Sequence, residues 1–145
     1  IKIFQQCIES QTENLNAFYK NLNFDFELFN FTNNITKYFL QTELAITRSG
    51  SSVTAELINC NIPFISIPYP YAADSHQDKN ATYFKEKGYS FSLKETEVKE
   101  KLFPLIKLIY KDKKLLNRII EKQKQYSDKK VFLIIKTVIE NLNNG

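Results

Sequence analysis

The chain of 145 residues has no methionine, only three glycines, two cysteines and a single histidine. With no methionine even at position 1, we expect it to be a fragment of something longer. Cys7 and Cys60 are too few and too poorly spaced for a metal site or a disulfide framework, so both are expected to be reduced, buried thiols of a cytoplasmic protein. No apolar run is longer than the five residues Val131 to Ile135, whereas a membrane-spanning helix needs ~20. The chain opens on the strand-like Ile1-Lys2-Ile3-Phe4, not on a basic segment followed by an apolar core, so no signal peptide is expected. Internal repeats and low-complexity linkers are also missing.

What remains is a globular composition, 43% hydrophobic and 25% charged, at a length expected to form one domain that buries about two thirds of its unfolded surface. The net charge of +4 is modest but uneven, with ten Lys or Arg against three acids between Lys107 and Lys136. Strand-like runs are expected at Lys2 to Gln6, Phe24 to Asn30, Leu44 to Thr47, Ile62 to Ile67 and Tyr89 to Leu93. Between them, helical spacing appears at Thr12 to Leu22, Asn34 to Gln41, Ser52 to Cys60 and Gln77 to Lys87. Asn61 and Gly88 stand where the third and fourth helices should end. This alternation predicts an α/β fold, a Rossmann-like parallel sheet with helices on both faces. After Leu93 the pattern is helical only, a tail over residues 94–145. Its apolar stripes run through Val98, Leu102, Leu105 and Ile109, then Leu115, Leu116, Ile119 and Ile120, then Val131, Ile135, Val138, Ile139 and Leu142.

Arg48-Ser49-Gly50-Ser51-Ser52-Val53-Thr54-Ala55-Glu56 joins a strand end, a glycine turn, a helix start and an acid read as buried-facing. Ser51 and Ser52 are expected to cap the helix, whose first N–H groups then point toward an anion. Glu56 lies one turn in, on the face near Ser52, placed to accept hydrogen bonds from the two hydroxyls of a ribose. The loops after Thr47 and Ile67 should share one crevice, because ligands bind at the carboxyl ends of strands in open α/β sheets. That crevice receives Tyr71 to Ala81, with His76 beside Gln77 and Asn80, the last two on one helical face. Neutral amides that donate and accept suit a sugar's hydroxyls better than they suit a metal or a phosphate.

Taken together, Arg48-Ser49-Gly50, Glu56, the Ile62-Pro63 to Pro68 strand and His76-Gln77 with Asn80 resemble the C-terminal domain of the MurG glycosyltransferases, of glycosyltransferase family 28. The likeness covers roughly Ile1 to Leu93 in order and spacing, and the later helices in pattern only. It implies the C-terminal half of a two-domain GT-B enzyme, the half that holds UDP-N-acetylglucosamine. By that resemblance, the backbone from Ser51 through Val53, with Thr54 and Ala55 following, binds diphosphate and sugar, and Glu56 binds the ribose. Gln77, with His76 and Asn80 beside it, binds the N-acetylglucosamine, and the backbone at Thr32 reads the uracil edge.

The same resemblance implies an inverting transfer of N-acetylglucosamine to the muramyl 4-hydroxyl of lipid I, giving lipid II in peptidoglycan synthesis at the cytoplasmic face of the bacterial inner membrane. No metal or cofactor is implied, in keeping with the lack of an Asp-x-Asp motif, and nucleic acid is not an expected partner. The acceptor domain and general base would lie upstream of Ile1, so this chain is expected to carry no catalytic residue and to be inactive alone. Departures are also visible. The family's glycine-rich loop after the first strand of this domain has no counterpart here and would lie upstream of Ile1. Where many relatives carry a Gly after the second strand's Gln and small residue, this chain has Gln6-Cys7-Ile8.

Each of these residues also has a plainer reading: a capped helix without ligand, a surface Glu56, a loop histidine at His76. Arg48 is expected either to neutralise phosphate or to brace the turn through backbone carbonyls. The basic C-terminal stretch is either a solvated helix face or a patch for anionic lipid. Two alternatives to the transferase are another UDP-sugar enzyme of the same architecture and a non-catalytic UDP-sugar-binding subunit that works with a membrane partner.

Overall fold

In a computed structural model, residues 1–126 are described, and they divide into two compact units, Ile1–Gln41 and a second beginning at Thr42. The third apolar stripe, Val131 to Leu142, and the end of the basic stretch lie outside the described residues.

The first unit consists of β1 (Lys2–Gln6), α1 (Thr12–Asn21), β2 (Asp25–Phe29) and the short α2 (Thr36–Phe39). β1 and β2 pair in parallel, from Lys2 opposite Asp25 to Gln6 opposite Phe29. Tyr38 is the centre of the packing here, stacked on Phe29 at 3.9 Å between ring centroids and met edge-on by Phe4 at 5.4 Å. Its hydroxyl donates to Glu27, which also accepts from Lys37 at 3.1 Å. The Lys37 hydrogen bond is the main reason that the Glu27 carboxyl titrates below its usual range.

In the second unit β3 (Ala45–Thr47), β4 (Phe64–Ser66) and β5 (Phe91–Ser92) form a parallel sheet in the order β3-β4-β5. α3 (Ser51–Asn59) and α4 (His76–Glu86) make the crossovers, and α5 (Val98–Lys111) and α6 (Lys113–Tyr126) follow. Every residue of the central strand β4 is fully buried, as expected for a parallel strand covered on both faces. Successive side chains point to opposite faces of a strand. Ile65 accordingly packs with Leu93, Ile109 and Leu116 under α5 and α6, while Phe64 meets the edge of Phe84 on α4. Burying each such large side chain contributes about 1.5–3 kcal/mol.

Three helices that lead into strands end in the same way. Asn23, Asn61 and Gly88 adopt left-handed backbone, with φ of 54°, 55° and 76°. At each, the following N–H reaches five residues back: Phe24 to Tyr19 O, Ile62 to Leu57 O, and Tyr89 to Phe84 O. This is the Schellman closure, and it explains why the strands are shorter than expected. Phe24, Ile62 and Tyr89 belong to apolar runs, yet their N–H groups serve the helix caps, so ladder pairing begins later.

One residue of α6 ties this unit together. Gln123 is wholly buried, and its amide nitrogen donates to Ile62 O at 3.0 Å and Tyr89 O at 2.8 Å, at the entries to β4 and β5. Cys7 is buried as expected, but Cys60 is exposed, because it lies at the C-cap of α3, outside the helix's apolar stripe.

Candidate functional site

The loops leaving β3, β4 and β5 meet at the carboxyl edge of the second unit's sheet, where a parallel α/β sheet places its ligand. Arg48 joins them. Its guanidinium makes a two-point ion pair with Glu95, in the loop after β5, at 2.7 Å and 3.3 Å. It also lies over the ring of Tyr69, in the loop after β4, 5.6 Å from the centroid. The structure therefore corrects the expectation that Arg48 braces the turn through backbone carbonyls: its partners are the Glu95 carboxylate and the face of Tyr69. Glu95 holds the guanidinium more basic than usual, and Arg48 lowers the Glu95 pKa, in each case chiefly through their hydrogen bond.

Beside this pair, α3 begins one residue earlier than expected, at Ser51, with Gly50 as its N-cap. Ser51 and Ser52 do not cap it. They occupy the first helical positions, and no side chain bonds to the helix start. The N–H groups of Ser51, Ser52 and Val53 are those a helix leaves unsatisfied, and with the helix dipole they favour an anion. Thr54 takes no part in such a surface. Its N–H and hydroxyl both donate to Gly50 O, at 3.1 Å and 2.7 Å, and it is buried. Ala55 is exposed and lies past the unsatisfied N–H groups.

Glu56 is exposed, which corrects the expectation of a buried-facing acid. Thr54, Leu57 and Ile58 form the buried face of α3, and position 56 projects away from it. The carboxylate nonetheless stands one turn from the helix start, on the side of Ser52, as the 3.6-residue repeat requires.

The turn itself is braced from two sides. Ser49 is fully buried with its hydroxyl on that of Ser66, and the Asn80 amide donates to Ser49 O at 3.0 Å. Gln77 Oε1 accepts the Tyr69 N–H at 2.9 Å, leaving its amide nitrogen as the donor available to a ligand. His76 is exposed, and its Nδ1–H donates to Ala73 O at 2.7 Å. In the neutral ring that leaves Nε2 as an acceptor. Gln77 and Asn80 therefore anchor the strand-exit loop and the glycine turn to α4, a role that composition and spacing did not disclose.

Thr32 belongs to the first unit, in the loop after β2, where its hydroxyl accepts the Asn34 N–H at 3.0 Å. At the end of β1, an open cleft is lined by Ile8, Glu9, Ser10, Thr12, Glu13 and Asn30. Its two carboxylates, Glu9 and Glu13, disfavour an anion there. Sequence reasoning missed Glu95 altogether. It is 47 residues from Arg48, and no local pattern marks it.

The ion-paired strand edge, the uncapped helix start and the amides of the next helix thus lie together in an α/β domain of parallel strands. The family described as "Glycosyltransferase family 28 C-terminal domain" matches residues 1–138, and the chain belongs to it. It is 35% identical over 130 residues to a UDP-N-acetylglucosamine–N-acetylmuramyl-(pentapeptide) pyrophosphoryl-undecaprenol N-acetylglucosamine transferase of Pelagibacter ubique, covering 90% of this chain and 34% of that protein. A Campylobacter jejuni protein of the same name is 38% identical over 88 residues, covering 61% of this chain and 26% of that one. The fold is similar to the crystal structure of Acinetobacter baumannii MurG, with a TM-score of 0.76 and 22% identity, over 88% of this chain and 37% of that one. The parallel α/β architecture is thus that of the C-terminal half of a GT-B glycosyltransferase. The chain spans about a third of the length of the Pelagibacter relative.

Proposed function

We propose that this chain is the donor-binding part of an inverting glycosyltransferase that moves N-acetylglucosamine from UDP to the muramyl 4-hydroxyl of lipid I, giving lipid II. The relatives' names carry the substrate class, and the observation that carries the site is the uncapped start of α3 at the strand ends. The N–H groups of Ser51, Ser52 and Val53 receive the diphosphate. As the glycosidic bond breaks, negative charge grows on UDP, and donors already aimed at it stabilise that charge without reorganising. Glu56 accepts from the ribose hydroxyls, and the Gln77 amide and His76 Nε2 face the sugar. Asn80 holds the turn in place beside them. Arg48 acts indirectly, fixing the loops that carry these groups.

The general base and the acceptor contacts belong to another part of the enzyme, and this chain serves as its donor-binding part. Work on a lipid-linked acceptor requires the inner-leaflet surface, as a peripheral protein. No helix among the described residues is long and apolar enough to cross a membrane. Calorimetric titration of the full chain with UDP-N-acetylglucosamine, UDP-glucose and UDP tests the reading. Binding of UDP-N-acetylglucosamine that weakens in Glu56→Ala supports it. No binding of any of the three at millimolar concentration removes it.

A further inference from the structure

Between β4 and α4 the chain builds a loop of two tight turns that carries a highly exposed aromatic ring. Tyr71 is 83% exposed, at the tip of a tight turn with Pro70 before it, closed by the Ala72 N–H on Tyr69 O at 3.2 Å. The next turn contains Asp74 and Ser75, both left-handed, with φ of 50° and 51°. Side chains rarely adopt that conformation, and consecutive examples hold only where the surroundings dictate it.

The ring is braced as well as exposed. Tyr71 meets Tyr69 edge to face, with centroids 5.7 Å apart and planes at 72°. Tyr69 in turn lies under Arg48, and Arg48 is locked by Glu95. The Tyr69 N–H is held by Gln77, the amide assigned to the sugar. A series of contacts thus runs from Glu95 to the Tyr71 ring, in the loop whose backbone Gln77 holds at Tyr69, and the ring stays exposed.

We propose that Tyr71 is a sugar-recognition residue, its ring packing on the C–H face of the N-acetylglucosamine while Gln77 addresses the hydroxyls. This rests on the donor-site reading above. A pyranose has an apolar face and a polar rim, and an exposed aromatic next to an amide matches both. The contact lies beyond the diphosphate, so it discriminates UDP-sugar from UDP.

Tyr71→Ala and Tyr71→Phe, made in the full chain, are titrated with UDP-N-acetylglucosamine and with UDP, and their melting is compared with wild type. The proposal expects Tyr71→Ala to raise the Kd for UDP-N-acetylglucosamine about fivefold, with UDP binding and melting unchanged and Tyr71→Phe near wild type. Equal weakening of UDP and UDP-sugar would assign the ring to the nucleotide and overturn it. So would unchanged sugar-nucleotide binding in Tyr71→Ala. Wild-type protein that binds neither ligand would instead remove the donor site, and this contact with it.

Discussion

Arg48 and Glu95, 47 residues apart, form a two-point ion pair that joins the loop after β3 to the loop after β5 across the edge of β4. Both side chains are close to half exposed, so the pair adds little to global stability. Its effect is local: it holds Arg48 against Tyr69 and gives the crevice one geometry.

The pair contributes a small share of an acid dependence. A carboxylate whose native pKa lies below its unfolded value stabilises the fold above that value, and the contribution fades as pH falls through the native pKa. Glu95, Glu27 and Glu97 all titrate low, each chiefly through a side-chain hydrogen bond to Arg48, Lys37 or Lys101. Stability should therefore be level above pH 4.5, the ordinary value of these groups, and fall below it. Thermal melts from pH 7 to pH 3 should show a shallower acid limb for Glu95→Gln than for wild type.

Gly50 is not required by the fold. Its backbone is ordinary, with φ of −68°, and an added Cβ would meet only Val53 Cγ1, at 3.9 Å. Gly50→Ser should keep or raise stability by about 0.5 kcal/mol, because serine is the better N-cap. The same hydroxyl would occupy the N–H of Ser52 or Val53, the groups proposed for the diphosphate. UDP binding should weaken about tenfold in the more stable protein, measured by denaturant melts and titration on one preparation.

Asn80→Ala removes the donor to Ser49 O. Loss of one partly buried hydrogen bond should cost about 1 kcal/mol. Because the bond supports the turn and not the sugar itself, UDP and UDP-N-acetylglucosamine should weaken by the same factor. Selective loss of the sugar nucleotide would show that Asn80 binds the sugar directly.

Gln123→Leu keeps the side chain's bulk but leaves Ile62 O and Tyr89 O without their shared donor. Stranded carbonyls in the interior cost about 1–3 kcal/mol. Urea unfolding should show a lower midpoint with an unchanged slope, and the donor site should keep its affinity once folded, since Gln123 sits at the opposite ends of the strands from the loops of Arg48, Tyr69 and Glu95.

Much of the fold was legible because it rests on local periodicity. Apolar runs marked the five strands, helical spacing marked α1, α3 and α4 close to their observed ends, and the next two apolar stripes fall on α5 and α6. Asn61 and Gly88 announced their helix stops, since left-handed backbone has few tolerant residues. Asn23 does the same work but went unread. Site chemistry was less legible. The serines after Gly50 resembled caps, yet the chain enters the helix through glycine and leaves its donors open.

The sequence by itself determined the alternation of strand and helix, the turn at Gly50 and the amides of α4, because each depends on neighbours a few residues away. Only the tertiary structure decided that Arg48 would be held by Glu95, that Gln77 and Asn80 would brace backbone, that Glu56 would face out, and that Tyr71 would stand exposed on Tyr69. Those outcomes depend on which strand ends lie side by side in β3-β4-β5. Distances across a sheet are set by packing and by satisfying buried polar groups, and one-dimensional spacing does not encode them.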